Sequence, residues 1–139
     1  MSVFSDEINI QTKGEVDIVD ITSDVTEVVN KSKIKDGIAC VFVSGSTGAL
    51  TTIEYEPGLI QDLPRALERI VPKNINYKHH ETWHDDNGHS HVRASLVGPS
   101  LTIPINNGKL IYGTWQQLVF IELDTRSRNR IIFVQIVGE

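Results

Sequence analysis

The chain has 139 residues, a formal net charge of -5, 40% hydrophobic and 22% charged residues. These values suit one globular domain, residues 1–139, and the acidic balance argues against binding to nucleic acid or to an anionic membrane. No apolar run approaches the roughly 20 residues of a membrane span, and no signal peptide is recognisable, so we expect a cytoplasmic protein.

The first half of the chain predicts strands around two helices. Residues 8–12 and 15–21 predict two strands joined by a Lys13-Gly14 turn. Apolar residues at helical spacing predict helices over 22–33 and 59–70, the second disturbed by Pro64. Continuous apolar runs predict strands over 38–43 and 49–55. Cys40 lies in the first of these runs, and we expect it to be a buried, inert thiol.

The second half predicts strands only. Residues 89–96 alternate between the two faces of a strand, and turn sequences such as Gly98-Pro99 separate the runs that follow. The further strands are expected over 101–105, 110–112, 115–123 and 130–137. Many short strands with about two helices predict an α+β fold, a single compact domain of mostly antiparallel, sandwich-like sheet.

All five histidines of the chain fall between residues 79 and 91. Histidine titrates near neutral pH and is the commonest metal ligand, so this concentration indicates a metal site or an acid–base site. If residues 89–96 form a strand, His89 and His91 project from the same face and can bind one ion. His79 is the candidate for the third ligand of a zinc-type site, and Asp86 is a weaker one. The alternative is a solvated polar hairpin.

Three further segments contain candidate site residues. Glu54 ends a strand and could act as a general base or orient a histidine, or it could be a surface glutamate. The Ser44–Gly48 segment could bring backbone N–H groups to an anion, or it could be a plain turn. Trp115 could stack on a flat ligand ring and Gln116 could hydrogen-bond it, although a core tryptophan is the usual alternative.

Taken together, the order of these segments resembles the YjbQ family (UPF0047). The resemblance rests on five stretches: Gly-Ser-Thr-Gly-Ala-Leu-Thr-Thr-Ile-Glu at 45–54, Tyr-Lys-His at 77–79, Asn-Gly-His-Ser-His-Val-Arg-Ala-Ser-Leu-Val-Gly-Pro-Ser-Leu-Thr-Ile-Pro-Ile at 87–105, Gly-Lys-Leu-Ile-Tyr-Gly-Thr-Trp-Gln-Gln at 108–117, and Arg-Asn-Arg at 128–130. It implies a compact α+β fold assembled as a homotrimer.

The resemblance also implies a secondary thiamine-phosphate synthase activity. That reaction joins a hydroxymethyl-pyrimidine diphosphate to a thiazole phosphate and releases pyrophosphate. Glu54, His79, His91 and the stretch containing Thr114, Trp115 and Gln116 match family-typical residues, whereas His89 matches only part of the family. Many members carry a histidine where this chain has Gly45.

We therefore expect an enzyme with catalytic Glu54, His79 and His91 that acts on a small phosphorylated heterocycle. A divalent metal, zinc being the first choice, would be held by His79, His89 and His91, with no organic cofactor. Thr114, Trp115 and Gln116 would bind substrate, and Arg93 or Arg130 would stabilise the leaving pyrophosphate. The alternatives are a non-catalytic metal or small-ligand binding module, and a histidine segment that mainly holds an oligomer together.

Overall fold

A computed structural model describes the whole chain, Met1–Glu139. It contains two antiparallel sheets and four helices. The strands are β1 (Ser2–Gln11), β2 (Asp17–Asp20), β3 (Gly37–Val43), β4 (Gly48–Ile53), β5 (Ser100–Asn106), β6 (Lys109–Leu110), β7 (Gln117–Glu122) and β8 (Asn129–Gly138). The helices are α1 (Thr22–Ser32), α2 (Pro57–Ile70), α3 (Lys78–Trp83) and α4 (Gly88–Val97). The predicted α+β class with mostly antiparallel sheet is confirmed.

The molecule is built in layers around the three-stranded sheet β2-β7-β4. One core packs the inner face of the five-stranded sheet β1-β8-β3-β5-β6 against α1 and the three-stranded sheet. A second, smaller core packs the other side of the three-stranded sheet against α2 and α4. Since β7 lies between the two cores, five of its six residues are buried, which explains its continuous apolar sequence.

The outer face of the five-stranded sheet is uncovered within the chain. Phe42 on β3 lies opposite Phe133 on β8, and Ile38 lies opposite Val137. Phe42, Phe133 and Ile38 are all exposed, and so is Cys40 between them. The expectation of a buried Cys40 is therefore wrong, because its side chain belongs to the uncovered face of β3.

Helix α2 is continuous through Pro64. Its first turn is capped by the Glu56 carboxylate, which accepts hydrogen bonds from the backbone N–H groups of Gly58 and Leu59. Pro57 occupies the first helical position, where no intrahelical N–H bond is lost. The helix ends just before Pro72, and the connection that follows leads to α3 and the histidine segment.

The largest departure from the sequence prediction is that residues 88–97 form α4 and not a strand. The buried residues of α4 include His89, Ser90, Arg93 and Ala94, which recur at helical spacing, whereas Val92 and Leu96 are exposed. The strand prediction expected the apolar residues of this segment to face the core. In the structure the polar residues are buried instead, because each charged side chain is paired with a group on a neighbouring element.

Candidate functional site

A close histidine pair lies where α3 meets the start of α4. The rings of His79, on α3, and His91, on α4, have centroids 4.3 Å apart and planes tilted by 49°. The two helices are brought together by a tight reversal in which His84 and Asp86 both adopt positive φ. His79 Nε2 is 3.3 Å from Asp85 Oδ1 in that reversal. The structure thus brings together two of the three predicted histidines.

Amide and carboxylate groups surround the pair. Asn87 is buried, and in one orientation its Nδ2 donates to Asp124 Oδ1 at 3.4 Å. In the flipped orientation, which matches donors to acceptors better, Nδ2 lies 2.9 Å from Asp85 Oδ1 and 3.1 Å from His79 Nε2. Asn87 therefore lies between the reversal with the histidine pair on one side and the buried Asp124 on the other, and each orientation of its amide donates to only one side.

The surroundings of His91 favour its neutral form. Burial lowers its pKa below the ordinary 6.5 and the nearby His79 lowers it further, while Asp124 and Asp85 act in the opposite direction. A neutral imidazole can accept a proton near pH 7. The pair therefore offers acid–base chemistry in a half-buried position.

Asp124 is a candidate site residue that the sequence analysis did not single out. Although burial opposes ionisation, the backbone N–H of Thr125 and the side chains of Arg128, Thr47 and Asn87 lower the pKa of Asp124 to about 2. The sequence contains a pattern from which the buried Asp124 could have been predicted. Glu122 and Asp124 interrupt an otherwise apolar run, and buried carboxylates require partners.

Arg130 belongs to the same buried network. Its guanidinium donates from Nε to Glu122 Oε1 at 2.8 Å and from Nη2 to Glu122 Oε2 at 2.6 Å, and Nη2 also donates to Thr47 Oγ1 at 2.8 Å. A Cβ atom at Gly45 would lie 2.9 Å from Arg130 Nη1. In this chain, therefore, Gly45 leaves the space that the guanidinium occupies.

His89 faces away from His91. Residues two apart on a helix point in different directions, so the predicted convergence of His89 and His91 on one strand face is wrong. The side chain of His89 is 1% exposed, and its Nε2 lies 2.7 Å from Glu15 Oε2, while the other oxygen of that carboxylate, Oε1, pairs with Lys73. Within the chain, no group of three or more His, Cys, Asp or Glu side chains is arranged to hold a metal ion.

Arg93 ties α4 to the end of α2. Its Nε and Nη2 donate to the Val71 carbonyl at 3.0 and 2.9 Å, and Nη2 also donates to Glu68 Oε2 at 2.7 Å. The side chain is 3% exposed, so in this chain the guanidinium serves packing between helices.

The remaining predicted residues lie at the other end of the three-stranded sheet. Glu54 follows β4, and Thr114, Trp115 and Gln116 precede β7, in whose register Ile53 faces Gln117. Gln116 Nε2 donates to Thr52 Oγ1 at 3.2 Å, while Trp115 is 72% exposed. The histidine pair lies near Asp124, beyond the opposite end of β7. Six strand residues span roughly 17 Å. Within one chain, therefore, the predicted site residues fall into two separate groups at opposite ends of β7.

Residues 6–139 match the family model described as UPF0047 protein YjbQ-like. This chain belongs to the UPF0047 family. A UPF0047 protein of Methanothermobacter thermautotrophicus is 41% identical over 139 residues, covering 100% of this chain and 95% of the relative. One of Methanocaldococcus jannaschii is 38% identical and covers 94% and 91%.

Solved UPF0047 structures show the same fold. A crystal structure from Sulfolobus solfataricus, described as a YbjQ-like protein of unknown function, superposes with a TM-score of 0.94 at 38% identity, covering 99% of each chain. A family member from Clostridium acetobutylicum gives 0.87 at 38% identity, with 95% and 99% covered. The comparisons establish family and fold.

In this chain no helix is both long enough and apolar enough to cross a membrane.

Proposed function

We propose that this UPF0047 protein is an enzyme that joins a hydroxymethyl-pyrimidine diphosphate to a thiazole phosphate, a thiamine-phosphate synthase activity. The observation that carries the acid–base part is the His79–His91 pair, 4.3 Å apart and flanked by Asp85 and Asp124. The choice of reaction comes from the family resemblance of the motifs. A cytoplasmic location also remains a prediction.

In the proposed reaction, the bond between the pyrimidine methylene carbon and the diphosphate oxygen breaks. The thiazole nitrogen supplies the electron pair for the new carbon–nitrogen bond, and pyrophosphate leaves with the old pair. Hydrogen bonds to the departing oxygen would assist the step, and we assign them to the ring N–H groups of His79 and His91. Glu54, Thr114, Trp115 and Gln116 would bind and orient the heterocycles.

We further propose that the two halves of the site meet between subunits of a homotrimer. Trp115 is exposed, and the uncovered sheet face with Phe42 and Phe133 provides an apolar surface for self-association. In a ring of three identical chains, the Glu54 end of one chain can lie beside the histidine pair of the next. Light scattering should then give three times the mass of the chain.

Mixing variants tests this arrangement. His91→Ala and Glu54→Ala should each lack activity alone, and trimers re-formed from an equal mixture should regain about a quarter of wild-type activity, because a quarter of the shared sites then receive both native residues. Activity is measured as thiamine phosphate formed. No recovery from well-mixed trimers contradicts a shared site, and full activity in either single variant contradicts the catalytic assignment.

A divalent metal, zinc first, stays a proposal for the same site. His79 and His91 provide two nitrogen donors, whereas a catalytic zinc needs three protein ligands. Since His89 pairs with Glu15, the third ligand would have to come from another residue or another subunit. Elemental analysis of wild type and of the His79→Ala variant tests the proposal, because bound metal should disappear in the variant.

The second candidate is a non-catalytic small-ligand binding protein. The separation of Glu54 from the histidine pair within one chain favours it, because proton transfer requires both groups near one substrate. Substrate binding without turnover, in a protein shown to be trimeric, would favour this candidate over the enzyme.

A further inference from the structure

One nitrogen of the Arg130 guanidinium is left without a partner. Nε and Nη2 donate to the Glu122 carboxylate and the Thr47 hydroxyl, whereas Nη1 donates to no group of the chain. Arg130 is only 8% exposed, but Nη1 is not sealed from solvent, since Ser90 Oγ is the single fully enclosed side-chain polar atom that lacks a hydrogen bond. A largely buried arginine therefore has one free donor that is available to a ligand.

Gly45 locates the space in front of this donor. A Cβ atom on Gly45 would lie 2.9 Å from Arg130 Nη1, and, apart from the residues adjoining Gly45 in the chain, no other atom lies within 4 Å of that point. Gly45 is itself exposed. A ligand oxygen can thus reach Nη1 over the bare Cα of Gly45, where any side chain would stand in its way.

The loop that contains Gly45 supplies further donors. Ser44, Gly45 and Ser46 form an exposed stretch after β3, the 44–46 loop, and their backbone N–H groups donate to no other backbone group. Thr47 fixes the end of this loop beside the guanidinium, because its hydroxyl accepts a hydrogen bond from Arg130 Nη2 at 2.8 Å. Consecutive free N–H groups beside a guanidinium are a combination that attracts anions.

The guanidinium is fixed before any ligand binds. The two oxygens of Glu122 hold Nε and Nη2 of Arg130 at 2.8 and 2.6 Å, and Cζ lies 5.8 Å from the centroid of the Phe120 ring. Gly48 permits this packing, because a Cβ atom there would lie 2.5 Å from Phe120 Cζ. A donor that is already immobile loses little further freedom when a ligand binds to it.

The carboxylates nearest to Arg130 are already paired. Glu122 is bound by Arg130, and Asp124 is bound by Arg128 at 2.6 Å, so these two acids and two arginines balance in formal charge. Arg126 lies exposed on the same turn and adds positive charge to this end of the chain. An anion that approaches the 44–46 loop therefore meets free donors together with a local balance of charge that does not repel it.

The number and position of the free donors decide between classes of anion. A carboxylate pairs best with two parallel N–H groups of an arginine, but Glu122 already occupies Nε and Nη2 of Arg130. A single guanidinium nitrogen and separate loop N–H groups suit an anion with three or more acceptor oxygens, of which phosphate is the common biological example.

We propose that Arg130 Nη1 and the 44–46 loop bind a tetrahedral oxyanion of the phosphate type, either free phosphate or the phosphoryl group of a small molecule. The inference stands on these contacts and does not rest on the proposed reaction. Asp124, which hydrogen-bonds Thr47, also acts on the pKa of His91, so the oxyanion would lie at the same end of the three-stranded sheet as the histidine pair.

The test is an NMR titration of the ¹⁵N-labelled full-length protein with inorganic phosphate, after treatment with chelator and dialysis. A pH of 8 lies above the range in which histidine ordinarily titrates, which limits binding of the anion to imidazolium groups. We expect saturable shifts of the amide signals of residues 44–46. Sodium chloride at equal ionic strength is the control and should not produce them.

Gly45→Ala places a methyl group in front of Nη1 and keeps every charge. Gly45 does not have a positive φ, so alanine is compatible with its backbone conformation. We expect the variant to bind phosphate at least about tenfold more weakly. Gly113→Ala adds the same methyl group at the opposite end of the three-stranded sheet and should bind phosphate as wild type does.

A comparison of ligands on the wild type needs no variant. Acetate should bind at least about tenfold more weakly than phosphate, because it has only two acceptor oxygens. Tighter binding of methyl phosphate than of inorganic phosphate identifies a phosphoryl group as the ligand, the reverse identifies free phosphate, and either result keeps the proposal.

Three results overturn the proposal: no saturable shifts at residues 44–46, equal binding of acetate and phosphate, or unchanged phosphate affinity in a folded Gly45→Ala protein. Urea unfolding shows whether that variant is folded, and if it is not, the comparison of ligands decides. Phosphate binding without any thiamine phosphate formation keeps this site and removes the proposed reaction.

Discussion

The first turn of α4 holds two histidines in opposite circumstances. His91 is half-buried beside His79 and makes no ion pair with a carboxylate, whereas His89 is buried and bonded to Glu15. The difference arises from the helix, which turns side chains two residues apart in different directions. A buried histidine with a charged partner contributes to stability, whereas a partly exposed histidine without such a partner is available for chemistry. The contrast predicts different consequences for stability and activity.

The largest expected effect is on stability. His89→Ala leaves the Glu15 carboxylate without its imidazole partner and opens a gap beneath α4, so we expect a loss of about 3 kcal/mol in the free energy of unfolding. His91→Ala should lose less than about 1 kcal/mol. Urea unfolding at pH 7 measures both. Equal losses in the two variants would remove the structural contrast between the histidines.

The next effect is on activity. His91→Ala should lower the proposed thiamine-phosphate synthase activity at least about a hundredfold, which is roughly 2.7 kcal/mol in the activation barrier, because it removes a positioned hydrogen-bond donor to the leaving group. His84→Asn is the control on the same segment. If the His91 variant, shown to be folded, keeps its activity, the pair has no catalytic role.

Asp124 lies near His91 and belongs to the buried hydrogen-bond network. Its pKa of about 2 lies below the unfolded value of 3.8, so its stabilising contribution is present above pH 3.8 and is lost as the pH falls toward 2. Asp124→Asn should therefore be about 2 kcal/mol less stable than wild type at pH 6. The difference should vanish near pH 2, and urea unfolding at the two pH values decides. A difference that persists at pH 2 would point to packing and not to charge.

The smallest effect is on the titration of His91. Since the folded pKa of His91 lies below 6.5, protonation of this group favours the unfolded state: its contribution to stability is fully present above pH 6.5 and is lost as the pH falls from 6.5 toward the folded pKa. Asp124→Asn removes an attraction and should lower the pKa of His91, whereas His79→Asn removes a repulsion and should raise it. NMR titration in chelator-treated protein follows both, and shifts of the same sign would contradict the geometry.

Much of the fold could be predicted, and the candidate site only in part. Strand runs such as 38–43 and the helix over 22–33 follow from apolar periodicity, and the ordered motifs pointed to the right family. The histidine segment could not be assigned in the same way. Its alternating residues fit a strand, and nothing local reveals that Glu15 and Val71 would bind His89 and Arg93 and so bury the polar face of a helix.

By itself, the sequence determined the α+β class and the family and singled out His79 and His91 as candidates, because periodicity and motif order are local properties of the chain. The tertiary structure alone decided that His89 pairs with Glu15, that Asp124 lies near His91, and that Glu54 and Trp115 lie at the far end of the three-stranded sheet. These outcomes depend on contacts between residues far apart in the chain, such as Glu15 with His89, and on the direction in which a helix turns each side chain.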